Sequence, residues 1–324
     1  MKKKILCTLG PQSLKPYFLK NIKNKVSLLR LNLSHIDIKS LKKKILYIRK
    51  YTSIPICIDT EGAQIRTKVK KKILFKKNKK YFIGSSSNFN LYPFYVTKKL
   101  KKNDILDVGF DGLKIKILKK NKNNLSFITL NTGKLETNKG VHVLNRKIKL
   151  DYLTEKDFLA INIAKKMNIK YYALSFTNTL EDIKNFNKIL TKKSNKIFKI
   201  ETKEAIKNIK KFSKIGQNFL IDRGDLSKDI GIMNIPMAQK YIVNQLKKNK
   251  KNKIFIATNY LETMINNSLP TRAEINDIYS SVKTGVDGIV LAAETAIGKY
   301  PLECINLLSK FIKHISKSDR TWLK

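Results

Sequence analysis

Eight short apolar runs separated by longer stretches of helical period constrain this chain more than any other feature. They cover residues 4–9, 26–33, 55–59, 171–176, 197–200, 219–222, 254–257 and 288–292. Most are continuously apolar, as a strand covered on both faces must be, and do not alternate as in a half-exposed antiparallel sheet. Strands that alternate with helices read as parallel strands joined by crossovers. Closing eight of them on themselves is the economical solution. The expected fold class is therefore α/β, a (β/α)8 TIM barrel.

One region breaks the alternation. Strand-like pieces at 73–75, 81–83, 113–118 and 125–130 occur with turn glycines at Gly84, Gly109, Gly112 and Gly133. This predicts a small all-β domain inserted after the third barrel strand. The chain then divides into a catalytic barrel of residues 1–67 and 144–324 and an inserted β-barrel lid of residues 68–143. Helix starts are clearest at Thr154-Glu155-Lys156-Asp157, where Thr154 can cap and Asp157 stands three residues on, and at Pro270-Thr271-Arg272-Ala273-Glu274.

A length of 324 residues fits one large domain with a small insertion. The 42% hydrophobic and 28% charged fractions exclude wholesale disorder. The formal charge of +44 attracts any polyanion. The excess is mostly Lys, spread through nearly every helix and loop beside abundant Ile, Asn and Tyr, all residues of AT-rich codons. No Arg-rich stripe or aromatic-interleaved patch stands out, so only non-specific nucleic-acid binding is expected. Cys7, Cys57 and Cys304 share no metal-ligand spacing and read as buried, reduced thiols. No signal peptide or membrane-spanning run is evident, and a cytoplasmic protein without a membrane partner is expected.

In such barrels chemistry gathers where polar residues follow the strands. Here these are Arg30, Asn32, Ser34 and His35 after the second strand; Asp59, Thr60 and Arg66 after the third; and Lys199 and Glu201 in the fifth. Arg223, Gly224 and Asp225 follow the sixth, Thr258 the seventh and Glu294 the eighth. Cations facing acids suit a phosphate with a divalent metal. Lys199 and Glu201 are two apart and share one side of a strand, which suits a phosphoryl group and its Mg²⁺ as well as a strand end with solvated charges. Arg223-Gly224-Asp225 offers a carboxylate and close backbone approach to an anion, and it also fits an ordinary βα turn.

A series of motifs runs through Cys7-Thr8-Leu9-Gly10-Pro11, Arg30-Leu31-Asn32-Leu33-Ser34-His35, Asp59-Thr60-Glu61-Gly62, Ile65-Arg66-Thr67, Lys139-Gly140-Val141 and Thr154-Glu155-Lys156-Asp157. It continues through Lys199-Ile200-Glu201, Arg223-Gly224-Asp225-Leu226, Ala257-Thr258, Pro270-Thr271-Arg272-Ala273-Glu274 and Glu294-Thr295-Ala296. In the order and approximate spacing of these motifs, the chain resembles pyruvate kinase over nearly its whole length. The resemblance implies phosphoryl transfer from phosphoenolpyruvate to ADP, giving pyruvate and ATP in glycolysis. It implies Glu201 and Asp225 as ligands of Mg²⁺, with Mn²⁺ as an alternative, and Lys199 and Arg30 on the phosphoryl group. Asn32, Ser34, Asp59 and Thr60 are implied as K⁺ ligands. Gly224, Asp225 and Thr258 are implied to seat the substrate carboxylate, with Thr258 also in proton delivery. His35, Arg66, Lys139 and Asn32 are implied as nucleotide contacts, and Asp111 as part of lid closure.

Departures from the family pattern are Ala63, Gln64 (the position tied to K⁺ dependence), Phe110, Asn178, Asn259 and Ala292-Ala293. None touches Lys199, Glu201 or Asp225, so reduced but real activity is expected. The chain stops soon after the eighth barrel helix, so the additional effector domain and sugar-phosphate activation are expected to be absent, and a homodimer is expected more firmly than a tetramer. Two other readings are a decayed barrel kept for binding polyanions, and a different barrel enzyme acting on phosphoenolpyruvate or a related enolate. The complete set of charged residues at the proposed centre favours the kinase.

Overall fold

The computed structural model describes residues 3–84, 87–109, 112–121 and 124–317. In chain order its strands are β1 (Lys4–Thr8), β2 (Leu28–Asn32), β3 (Ile56–Asp59), β4 (Ile65–Val69), β5 (Ile73–Phe75), β6 (Lys80–Gly84), β7 (Phe89–Tyr92), β8 (Ile105–Val108) and β9 (Leu113–Lys120). They continue with β10 (Asn124–Thr129), β11 (Gly133–Leu135), β12 (Gly140–Val143), β13 (Tyr171–Leu174), β14 (Asn195–Ile200), β15 (Asn218–Asp222), β16 (Lys253–Ala257) and β17 (Gly288–Leu291). The chain divides into two compact units, Met1–Gly62 with Glu155–Lys324, and Ala63–Thr154.

In the first unit β1, β17, β16, β15, β14, β13, β3 and β2 close a barrel in that order, and each pair is parallel. All eight apolar runs are its strands, because a strand buried on both faces leaves an unbroken apolar signature. Leu6, Leu28, Cys57, Ala173, Ile197, Leu220, Phe255 and Val290 fill the interior. Gly288 is required where β17 meets β1, since a Cβ there would lie 2.3 Å from the Lys4 carbonyl oxygen.

The outer helices start on local signals. In helix Ile38–Tyr51, Asp37 caps the Lys39 N–H, and Leu41, Ile45 and Ile48 are buried at spacings of one turn. Each such burial is worth about 1.5–3 kcal/mol. Helix Arg272–Lys283 opens on a capping box between Thr271 and Glu274. Among the described residues no helix is long and apolar enough to cross a membrane.

The second unit is an antiparallel sheet in the order β6-β10-β9-β8-β12-β4-β7, with a separate ribbon of β11 and β5. Among the described residues no hydrogen-bonded ladder joins β6 to β7; the Ser87 N–H and hydroxyl both bond the Gly84 carbonyl. Because β4 pairs with β7 and β12, Arg66 and Thr67 belong to this sheet. Phe75, Phe89 and Phe127 form its core with Tyr81, at centroid separations of 4.3 to 6.3 Å. Asp104 is bound by Arg146 through Nε at 2.6 Å and Nη2 at 2.7 Å.

Candidate active site

Strand periodicity builds the polar layer of the barrel. Two residues beyond an interior side chain, the next one points inward again. Thr8 thus follows Leu6, Arg30 follows Leu28, Asp59 follows Cys57, Ser175 follows Ala173, Lys199 follows Ile197 and Asp222 follows Leu220.

Lys199, with 4% of its side chain exposed, is the hub. Its Nζ lies 2.8 Å from Glu201 Oε1, 3.3 Å from Asp222 Oδ2 and 3.6 Å from Asp59 Oδ2, and donates to Ser175 Oγ at 3.2 Å. Arg30 donates from Nε to Asp59 Oδ2 at 2.6 Å and from Nη1 to Thr8 Oγ1 at 3.1 Å. Glu201 Oε2 accepts the Phe176 N–H at 2.5 Å.

In this buried layer two cations face three carboxylates. Burial opposes the charge on Lys199, but Asp59, Glu201 and Asp222 outweigh it and hold its pKa above the ordinary value. Arg30 is held above its ordinary value in the same way by Asp59 and Asp222. Burial pushes Glu201 up to about 8 against the pull of Lys199, with Asp222 and Asp225 adding to the rise. Burial opposes ionisation of Asp222 as well, but Lys199 and Arg30 win and keep it below its ordinary value. The surplus of carboxylates over cations is therefore relieved at Glu201, which holds its proton more tightly than an ordinary carboxyl. Carboxylate oxygens of Glu201, Asp222 and Asp225 lie within 4.8 Å of one another, an all-oxygen set that suits a hard divalent cation.

At the end of β16, Thr258 has φ +76, a rare conformation for a β-branched residue. Its hydroxyl oxygen accepts the Gly224 N–H at 3.0 Å, and a Cβ on Gly224 would lie 3.2 Å from Thr258 Cγ2. Arg223 bonds the Thr258 carbonyl from Nε at 3.1 Å, grips Asp277 through Nη1 at 2.8 and 2.9 Å, and lies 4.2 Å from the centre of the Tyr260 ring.

The remaining candidates separate by position. Asn32 and Asp59 are register partners on β2 and β3, and Asn32 Oδ1 accepts the Ser34 N–H at 3.0 Å. Thr60 Oγ1 accepts the Ser175 N–H at 3.0 Å. His35 is exposed at the end of the short turn Leu33–His35. In the inserted sheet, Arg66 pairs in register with Gly140, next to Lys139, whose Nζ lies 3.1 Å from Glu136. Asp111 and Phe110 lie outside the described residues.

Glu294 is not part of the polar layer. Its oxygens accept the backbone N–H groups of Tyr260 at 3.2 Å, Leu261 at 3.4 Å and Ala292 at 2.7 Å, so it ties two loops together. Asp157, read as a helix-start residue, is wholly buried and accepts the N–H groups of Glu61 at 2.7 Å and Gly62 at 3.0 Å. Sequence reasoning missed Ser175 and Asp222, which two-residue spacing from Ala173 and Leu220 would have found.

A family model described as "Pyruvate kinase, barrel domain" matches residues 1–305. The chain belongs to the pyruvate kinase family. It is similar to the pyruvate kinase of Thermotoga maritima, 30% identical over 97% of this chain and 71% of that one. It is 34% identical to the pyruvate kinase of Methanocaldococcus jannaschii, over 96% of this chain and 69% of the relative. Among solved structures, a pyruvate kinase from Cryptosporidium parvum superposes with a TM-score of 0.82 at 26% identity, covering 98% of this chain and 70% of the other. The pyruvate kinase activity that follows is phosphoryl transfer from phosphoenolpyruvate to ADP, in a generally metal-dependent family.

Proposed function

We propose that the barrel's polar layer is the phosphoryl-transfer centre, with Lys199 stabilising charge on the group in flight and Arg30 holding the same phosphate. The supporting observation is the buried Lys199 ammonium among Asp59, Glu201 and Asp222 beside Arg30. Gly224, Asp225 and Thr258 seat the substrate carboxylate at the start of helix Arg223–Ile230, where backbone N–H groups favour an anion. Thr258 also serves proton delivery to the enolate.

Glu201 and Asp225 hold Mg²⁺, or Mn²⁺ in its place; the oxygen-only donors and the excess carboxylate support this. When bound, the ion neutralises phosphoryl oxygens. Asn32, Ser34, Asp59 and Thr60 supply oxygens for K⁺. His35, Asn32, Arg66 and Lys139 contact the nucleotide.

The chain works as a cytoplasmic homodimer and meets nucleic acid only non-specifically. Exposed Ile232, Met233 and Met237 in the first unit support self-association, which sedimentation velocity reads directly. Retention on RNA should vanish at a few hundred millimolar salt, as roughly expected for purely phosphate-directed contacts.

Pyruvate formation from phosphoenolpyruvate and ADP with Mg²⁺, with and without K⁺, tests the function against Lys199→Met. Turnover that survives in the variant excludes Lys199 from the chemistry. Absence of turnover in the folded parent under every ion condition overturns the function proposed for this site.

A further inference from the structure

Asp222 lies in the oxygen cluster with Glu201 and Asp225 but is given no role above, and it touches Lys199 and Thr258, two of the residues that carry such roles. It closes β15 two residues after Leu220, so it points into the barrel, and it is 5% exposed. Its carboxylate is divided between two partners. Oδ2 lies 3.3 Å from Lys199 Nζ, and Oδ1 accepts the Thr258 hydroxyl at 2.9 Å.

Thr258 is held from several sides in a conformation that persists only when the surroundings over-determine it. Arg223 bonds its carbonyl, and the Gly224 N–H occupies one lone pair of its hydroxyl oxygen. The hydroxyl has a single proton and two acceptors in reach, the Ala257 carbonyl at 2.5 Å and Asp222 Oδ1 at 2.9 Å. An ionised carboxylate is the stronger acceptor, so Asp222 determines which way that proton points. The same carboxylate shares the Lys199 ammonium with Glu201 and Asp59 and fixes a third side of it, at 3.3 Å against 2.8 and 3.6 Å.

We infer that Asp222 is a positioning residue that fixes the Lys199 ammonium and the Thr258 hydroxyl in one arrangement, linking the phosphoryl end of the reaction to its proton end. This rests on the roles proposed above for Lys199 and Thr258. Asp222 itself touches no reacting atom; it acts through the two residues that do.

The test compares Asp222→Ala, which loses both contacts, with Asp222→Asn, which keeps an oxygen for Thr258 and loses the charge facing Lys199. For Asp222→Ala, kcat should fall by roughly 10²-fold while KM for phosphoenolpyruvate moves less than about threefold, as misplacement of catalytic groups predicts. Exchange of pyruvate methyl protons with D₂O, followed by NMR with Mg²⁺ and no nucleotide, reads the Thr258 end alone. Asp222→Asn should keep more of this exchange than of the full turnover, a split that a merely structural residue would not produce. Mn²⁺ affinity by electron paramagnetic resonance should be unchanged in both variants.

A kcat within about threefold of the parent in folded Asp222→Ala overturns the inference, because misplacement is expected to cost far more. If that variant does not fold, undiminished turnover in Asp222→Asn overturns it equally. A Mn²⁺ affinity loss of about tenfold makes Asp222 a metal ligand and also overturns the positioning role. Turnover by the parent protein distinguishes failure of the positioning role from failure of the proposed function, and the exchange ratio between variants does not need nucleotide turnover.

Discussion

At the barrel's strand ends Arg30, Lys199, Asp59, Glu201 and Asp222 are buried against one another, whereas the inserted sheet buries Phe75, Phe89, Phe127 and Ile115 and sets Asp104 against Arg146. Apolar side chains of similar volume would stabilise the barrel's layer as well or better, since the desolvation of paired ions offsets most of their attraction. On the function proposed above, the charges are there for what they do to a substrate. In the sheet the balance is reversed, and its ion pair braces a core that apolar burial already holds. Burial of charge without a gain in stability is what sets the proposed site apart from the inserted sheet.

The largest expected effect falls on the barrel. Lys199→Met should reduce kcat by about 10³-fold, the scale of losing a preorganised electrostatic contact. It should also lower stability by about 3–5 kcal/mol, because carboxylates are left buried without their cation. Amide exchange in β14 and β15 should accelerate while that in β8 and β9 holds, and equal acceleration in both would break the comparison. Next in size, Phe127→Ala should destabilise the inserted sheet by about 3–5 kcal/mol through the cavity it leaves, read by the same exchange measurement with the pattern reversed.

How far the site could be read in advance follows the same divide. The barrel was legible because its strands are unbroken apolar runs, and Lys199 with Glu201 because two-residue spacing is a local signal. Asp222 and Ser175 escaped because each sits at or within the end of an apolar run and reads as its termination. Asp157 and Glu294 were singled out, but their bonding roles escaped for another reason: their partners, Glu61 with Gly62 and Tyr260 with Leu261, are far away in sequence. Short strands of the insert such as Gly133–Leu135 carry too few residues to show any period.

The response to pH sharpens the contrast, beginning with Glu201. Its carboxyl is pushed up to about 8 by burial, from an ordinary value of 4.5. A raised carboxyl means that the folded state binds more protons than the unfolded one, so the contribution of Glu201 to stability is greatest below pH 4.5 and falls as pH rises toward 8. In metal-free protein, protection of β14 corrected for intrinsic exchange should decline between pH 5 and pH 8, a window taken from that shift. Added Mg²⁺ should restore it, and Glu201→Gln should flatten the decline. A flat profile in the parent would mean that Lys199 compensates Glu201 fully.

Asp104 should respond with the opposite sign and the smallest effect. Burial alone would raise its pKa, but Arg146 and the Lys101 N–H, the latter at 2.7 Å, hold it below the ordinary 3.8. A depressed carboxyl contributes stability that is present above the unfolded value and is lost as pH falls through the folded one. Protection in β8 and β9 should therefore be constant from pH 7 to about 4 and fall below that. Asp104→Asn should remove the acid limb and cost about 1.5–3 kcal/mol at neutral pH, the range for a hydrogen bond to a charged group. If acid weakens β14 and β8 together, in the parent and in Asp104→Asn alike, the two units share one ionic response and the division drawn between them is wrong.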